Sequence, residues 1–418
     1  MHCSEILTFE SDQKSFGEEA IQLEQAAKIL DLESWIVERL RHAEREITVN
    51  LPLICDDGRA VTISGYRVQH STLRGPMLGG LRVCGDATIA DARARAMDAT
   101  WQLALLDAPF GGSVGAIVCD PVRLSERELR HVVKEYVAAL RGNLGAHTDV
   151  ILQGDGCNAQ MLAWILDACC HTNGHLEPAA VIGKPRALFG LEGHRAAVAH
   201  GIAIVVERIA SDLKLGHVRV AIQNLSDYGH LLAHCCDQRG MEIVALADSS
   251  GGTYSADGIA VSSLTRWLDE HGGVIGYPDA ESVCNTDVLG CDCDVLIAAM
   301  PGSSISASVA ESIRAPLVIE GVYGAISAAA GDVLESRGTT LVPHVLAGAG
   351  GLAQACLEWT VNTSGHVLLA GEAEEHLQRR MQRAYSAAQE ASQRYAISLR
   401  EATYVAAIEL VADAMRLR

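Results

Sequence analysis

The sequence predicts a two-domain α/β protein whose second domain is a doubly wound parallel sheet, and three observations carry that prediction. At 418 residues the chain is too long for one ordinary core. From Val218 to Asp248 it reads VRVAIQNLSDYGHLLAHCCDQRGMEIVALAD: an apolar run, a helix-length segment and a second apolar run. That succession is a βαβ unit, which occupies about 30 residues. Beyond it, short apolar runs recur at Asp294-Val295-Leu296-Ile297, Leu317-Val318-Ile319-Glu320 and Thr340-Leu341-Val342, with a helix-length segment between each and the next.

Composition narrows the classes of function. A hydrophobic content of 49% with 20% charged residues is that of a globular chain. Acidic residues outnumber basic ones 52 to 33, a net charge of −19, which disfavours nucleic acid or an anionic membrane as partner. No apolar run approaches the roughly 20 residues that span a bilayer. The opening stretch MHCSEILTFESDQK does not have the character of a signal peptide, so the expected location is the cytoplasm. The thirteen cysteines are scattered without paired C-x-x-C units and read as reduced thiols rather than a disulfide frame or a zinc site. Cys291 and Cys293 lack a matching second pair, and no metal is expected.

The first 70 residues read as structural. Ile21 to Arg41 has helical spacing through Leu23, Ala26, Ala27 and Leu30, then Trp35, Ile36 and Leu40. A period-2 run follows at Ile47, Val49, Leu51 and Leu53. Asp57-Gly58 turns the chain into a second run at Val61, Ile63, Tyr66 and Val68, which predicts a hairpin. Residues 193–210 read as a helix with Ala197, Val198, Ile202, Val205 and Ile209 on its apolar face. The C-terminal stretch returns to helix, with a stripe at Leu377, Met381, Ala384, Tyr385 and Ala388 and an i,i+4 pair of Glu375 and Arg379.

The turn of the βαβ unit departs from what its architecture announces. A dinucleotide-binding turn reads G-x-G-x-x-G, its glycines letting the main chain approach a pyrophosphate. Here it reads Asn224-Leu225-Ser226-Asp227-Tyr228-Gly229, with only the last glycine in place. Asparagine is among the residue types that tolerate left-handed backbone angles, so Asn224 by itself is compatible with such a turn. Ser226, however, puts a side chain in the path of the phosphates. Asp227 places a carboxylate near the helix N-terminus, where it satisfies the helix dipole from within the protein and repels a competing anion. Asp248 closes the second strand where a ribose is held; the competing reading is a solvated turn residue.

Further motifs carry a resemblance to a known family. The segments HSTLRGPMLGGLRV from His70 and RAMDATWQLALLDAPFGGSVGAIVCDP ending at Pro121 resemble the substrate-domain signatures of the glutamate dehydrogenases and their leucine, valine and phenylalanine dehydrogenase relatives. Gly79, Gly80, Gly111, Gly112, Gly115, Arg82, Trp101, Pro109, Asp120 and Pro121 match. So do Gly183-Lys184-Pro185, ADSSGGTY (Ala247 to Tyr254), Glu320-Gly321 and AGAGGLAQACLEW (Ala347 to Trp359), in family order.

The resemblance implies two domains: residues 1–185 as the substrate and oligomerisation domain, completed by C-terminal helices 356–418, and residues 186–355 as a Rossmann-like domain. It implies hexamer-like assembly, an amino acid or 2-oxo acid as small molecule, and NAD or NADP as cofactor. It also exposes replacements. The family's two substrate-carboxylate lysines fall at Leu78 and Gln102, and its proton-handling lysine at Val114. Neither an amide nor an alkyl group neutralises a carboxylate or exchanges a proton near pH 7. The family's catalytic aspartate falls at Gly154, with Asp155 one residue later as the candidate substitute; a loop or helix-capping role is the competing reading. The asparagines facing the nicotinamide side fall at Tyr323 and Gly348, and a substrate-binding serine at Ala355. The chain holds five lysines, none of them in a pocket motif, and Lys184 reads as part of the interdomain linker.

Three functions are compatible with this pattern: a non-catalytic family member acting as regulatory or structural subunit, an NAD(P)-dependent amino-acid dehydrogenase with a rebuilt pocket using Asp155, and a small-metabolite sensor using the same cleft. The replacements cluster on ligand-facing positions while frame glycines, tryptophans and prolines stay. Decay without selection damages frame and pocket alike, which favours the first and third readings.

Overall fold

The computed structural model describes residues 17–223, 229–300 and 304–418. Helical spacing near the N-terminus resolves into two helices, α1 (Gly17–Ile29) and α2 (Ser34–Arg41), rather than one stretch. Asp31 takes a φ of +48°, a left-handed backbone angle that a continuing helix does not allow. The expected hairpin is β1 (Arg45–Ile54) and β2 (Ala60–Gln69), antiparallel from Arg45↔Gln69 to Ile54↔Ala60. Gly58, with φ +85°, makes its turn.

Then come β3 (Met77–Val83), α3 (Ile89–Leu105), β4 (Gly111–Ile117), α4 (Glu126–Ala139), β5 (Asp149–Gln153), α5 (Ala159–Asn173) and β6 (Val181–Ile182). The first sheet is mixed, in the order β1-β2-β4-β3-β5-β6, with β3 parallel to both β4 and β5. A buried ionic network ties its strands together. Arg67 Nε donates to Asp149 Oδ2 at 2.8 Å, and Gln69 Nε2 and Ser113 Oγ each donate to the same carboxylate at 2.7 Å. Arg67 and Asp149 are fully buried, so the pair stands only because each partner satisfies the other.

The second sheet is built from α6 (His194–Asp212), β7 (Arg219–Gln223), α7 (Gly229–Gln238), β8 (Glu242–Asp248), β9 (Gly251–Tyr254), α8 (Val261–His271), β10 (Glu281–Val283), α9 (Asn285–Leu289), β11 (Val295–Ala298), α10 (Ala307–Ala310), β12 (Leu317–Glu320), α11 (Ala328–Ser336) and β13 (Thr340–Val342). Its order is β10-β9-β8-β7-β11-β12-β13. β8, β7, β11, β12 and β13 run parallel, as the buried apolar runs predict, while β9 and β10 add an antiparallel edge. The chain ends in α12 (His344–Ala347), α13 (Gly350–Ser364), α14 (Glu372–Tyr395) and α15 (Leu399–Arg416). All five residues of the expected stripe on α14 are buried. Arg379 Nε donates to the backbone carbonyl of Glu375, in place of the expected side-chain pair.

The chain divides into two compact units, residues 1–100 with 110–181, and residues 101–109 with 182–418. The C-terminal helices thus group with the second unit, where the resemblance placed them with the first domain. Tyr385 of α14 donates to Asp212 of α6 at 2.8 Å, and Arg380 donates to the carbonyl of Leu106 at 2.8 Å. Twelve described cysteines are free thiols. Among the described residues no helix is long and apolar enough to cross a membrane, and no group of three or more His, Cys, Asp or Glu is placed to hold a metal.

Candidate functional site

In the first unit, the substrate-side positions lie on adjacent strands. Leu78 on β3 is fully buried and registers with Gly112 on β4. Val114 on β4 is 7% exposed and opposes Val68 of β2; it packs with Val68, Ala92 and Ala96, and with the partly buried Ile89 and Ala43. This is an aliphatic cluster in which no group exchanges a proton. The neighbouring Gly112 is held by packing: a Cβ there would stand 2.3 Å from the Ala96 carbonyl oxygen and 2.4 Å from the Thr100 nitrogen. Frame glycines of this kind are required by close approach, with or without chemistry nearby.

The loop after β5 is closed onto β3. A Cβ on Gly154 would stand 2.6 Å from the Leu81 carbonyl oxygen, and the Val83 N–H donates to the Asp155 carbonyl at 2.8 Å. Asp155 is exposed, and its carboxylate accepts from Arg82 Nε at 3.2 Å. Arg82 also pairs with Asp91, which in turn accepts from Arg95 Nε at 2.8 Å. In this structure Asp155 is a surface ion-pair partner of Arg82.

In the second unit, three positions singled out from the sequence converge on one residue that sequence reasoning missed. Gln102 Nε2 lies 3.4 Å from His344 Nδ1. The Tyr323 ring stands edge-on to the His344 imidazole with centroids 6.0 Å apart. Gly348 lies under that imidazole, since a Cβ on it would be 2.3 Å from Nε2. Ala355 is fully buried on α13. The available signal for His344 was its place just beyond the end of a parallel strand, the end at which such sheets bind ligands.

Asp248 ends β8 as expected, with its carboxylate engaged by the protein. Oδ1 accepts from the Ser250 N–H at 2.7 Å and its hydroxyl at 2.5 Å, and Oδ2 accepts from the Val274 N–H at 2.8 Å. Next to it lies a cavity of about 360 Å³ lined by His230, Asp248, Ser249, Thr265, Leu268, Asp269 and Gly272. Gly229 is the buried first residue of α7; Asn224, Ser226 and Asp227 lie outside the described residues. A larger open cavity, about 790 Å³ between the β1–β2 hairpin and α4, is lined by none of the candidate site positions.

Lys184 has a partner. Its Nζ donates to Glu358 Oε1 at 2.7 Å, both side chains fully buried. Glu358 also accepts from His194 Nε2 at 2.7 Å and from the Leu191 N–H at 2.9 Å. Burial presses the Lys184 ammonium below its usual pKa. It pushes Glu358 upward, but the His194 and Lys184 contacts prevail and hold the carboxyl below its usual value. The group pins residues 183–194 to α13 and is not directed at a substrate.

Comparison with known proteins follows the same division. Residues 190–418 match the Glutamate/Leucine/Phenylalanine/Valine dehydrogenase family, and residues 43–171 match the Glu/Leu/Phe/Val dehydrogenase dimerisation domain. The chain is 33% identical over 410 residues to glutamate dehydrogenase of Thermotoga maritima, covering 97% of this chain and 99% of that one. It is 33% identical over 400 residues to glutamate dehydrogenase A2 of Halobacterium salinarum, covering 95% and 96%. Among solved structures, the hetero-hexameric glutamate dehydrogenase of Thermus thermophilus in its leucine-bound form superposes with a TM-score of 0.91 at 31% identity, covering 97% of each chain. Glutamate dehydrogenase of Peptoniphilus asaccharolyticus gives 0.85 at 27% identity, covering 96% and 98%.

Proposed function

The chain belongs to the Glu/Leu/Phe/Val dehydrogenase family, and from that premise we propose that it keeps the family's frame without its chemistry, as a cytoplasmic regulatory or structural subunit. Its partner is a catalytic paralogue in a hexamer-like assembly. The observation that carries this reading is Val114, an alkyl group buried among Val68, Ala92 and Ala96 at the position of the family's proton-handling lysine. A positioned proton-transfer group contributes roughly 10²–10⁴-fold to rate. Here that group is missing, the aspartate position is a glycine packed on Leu81, and Lys184 is committed to Glu358.

The family implies NAD or NADP, and the residues present do not fit it. Asp248 spends both carboxylate oxygens on Ser250 and Val274, the imidazole of His344 covers Gly348, and the turn sequence supplies Asn224 and Ser226 where glycines are needed, with the carboxylate of Asp227 beside them. The assembly reading draws support from the similarity to the Thermus thermophilus enzyme, which is itself hetero-hexameric.

Co-expression with the active dehydrogenase of the same organism, followed by native mass spectrometry, tests the proposal. Mixed oligomers are expected, with the partner's substrate affinity shifted by roughly 5- to 150-fold. A stable homo-oligomer that never mixes and leaves the enzyme's kinetics unchanged would overturn it. Turnover of glutamate, leucine, valine or phenylalanine by the purified chain would do so too.

A further inference from the structure

Open parallel sheets bind ligands in the crevice outside the carboxyl ends of their strands. At that end of the second sheet, β12 stops at Glu320 and β13 at Val342, and the chain beyond the two strands meets around His344. The backbone there is fixed: the His344 N–H donates to Glu320 Oε2 at 3.0 Å, and Oε1 of the same carboxylate accepts the Ile326 N–H at 3.4 Å. The ring is held on three sides. Gln102 offers its amide to Nδ1 at 3.4 Å, Tyr323 presents its ring at 81° to the imidazole plane, and Gly348 supplies bare backbone under Nε2 and Cδ2.

These are the three contacts a small flat nitrogen heterocycle draws from a binding site: a hydrogen bond to a ring nitrogen, an aromatic edge, and a clearance where no side chain stands. Substitutions accumulated without selection leave voids or clashes. Here, by contrast, the amide at 102, the ring at 323 and the missing side chain at 348 all serve one imidazole.

We infer that His344 is an internal plug, its imidazole occupying the place at the strand ends where the flat ring of a ligand would otherwise sit. The inference deepens the non-catalytic reading above and rests on it. It also names the class of molecule the site would take once emptied, a small planar N-heterocycle.

The test uses the full-length chain carrying His344→Gly, with free imidazole as the probe and thermal unfolding as the readout. The variant is expected to unfold below the wild type. Imidazole at tens of millimolar is expected to raise the variant's midpoint saturably by about 2–5 °C, as binding to the folded state requires, and to leave the wild type unmoved. No response in the variant, or an equal response in both chains, overturns the plug. A second comparison covers poor folding of the glycine variant: His344→Phe keeps a ring and should unfold above His344→Ala, and the reverse order overturns the inference. Neither measurement involves cofactor, partner or turnover. The plug and the subunit reading therefore fail separately.

Discussion

A side chain cannot be added at Gly154 without moving the backbone of Leu81. The position a Cβ would take is 2.6 Å from the Leu81 carbonyl oxygen and 2.8 Å from its carbon. Real Cβ atoms do not approach main chain so closely, and a strand interior has no flexible end to swing away. On the proposed reading, which sets the family's acid at this position, the backbone leaves no room for it. Gly156, with φ +71° and its own Cβ position 2.0 Å from the Val83 carbonyl oxygen, continues the same contact.

Under the proposed non-catalytic reading, restoring the family's residues one at a time is expected to give no activity. Gly154→Asp should lower stability by about 1–3 kcal/mol through overpacking. Val114→Lys buries an ammonium among Val68, Ala92 and Ala96, where desolvation depresses its pKa and costs more than about 2 kcal/mol at pH 7. Chemical denaturation of each variant measures the loss. Oxidative deamination, assayed alongside, should stay at background for both single variants and for the double variant.

Stability should fall on mild acidification through His70. Its imidazole is fully buried, with Nδ1 2.8 Å from Thr100 Oγ1 and Nε2 2.9 Å from the Leu40 carbonyl, and burial lowers its pKa from 6.5 to about 4. The unfolded chain binds this proton first. The contribution is therefore intact above pH 6.5 and lost as pH falls from 6.5 toward 4, by roughly 3 kcal/mol in all. The hydrogen bond to the Leu40 carbonyl and nearby Glu44 raise the pKa and Arg39 lowers it, but burial prevails. Denaturation midpoints from pH 7 to 4, compared with a His70→Gln chain, isolate the effect. Parallel curves for the two chains would assign the acid sensitivity elsewhere.

How much of this was legible depended on whether the constraint was local. The hairpin was readable because alternation from Ile47 to Leu53, the Asp57-Gly58 turn and the run from Val61 to Val68 lie within one short stretch. The βαβ unit was readable because buried parallel strands are continuous apolar runs. The break at Asp31 was not, since no glycine or proline announces it. Strands β9 and β10 were missed because a run such as Gly251-Gly252-Thr253-Tyr254 becomes a strand only through its partners. At the site, the replacements expected at Leu78, Gln102 and Val114 rest on motif spacing alone. The carbonyl that closes Gly154 is more than seventy residues away, and His344 belongs to no motif the chain displays.

Glu358→Gln should destabilise the second unit strongly. The substitution keeps the size and removes the charge that balances the buried Lys184 ammonium, and breaking such a pair from one side costs about 3–5 kcal/mol. Hydrogen exchange at Gly183 and Leu191, whose N–H groups both donate to this carboxylate, should rise in the variant. Adding Lys184→Met removes the uncompensated charge and should recover part of the loss. A double variant less stable than Glu358→Gln alone would mean that Lys184 contributes through something other than its pairing with Glu358.

Asp248 separates a structural carboxylate from a ribose-binding one. Its three acceptor contacts, to the Ser250 N–H, the Ser250 hydroxyl and the Val274 N–H, tie the end of β8 to the segment after α8. Asp248→Ala leaves those donors without their acceptor, which should cost about 1–3 kcal/mol. Nucleotide binding gives the contrast. Fluorescence titration of the wild-type chain with NADH and NADPH should show no affinity tighter than about millimolar, a binding energy near 4 kcal/mol. Asp248→Ala should leave that result unchanged. The stability loss and the unmoved titration together assign the carboxylate to the turn. A micromolar affinity in the wild type that Asp248→Ala abolishes would instead mean that the carboxylate can leave Ser250 for a ribose, and the non-binding reading would fall with it.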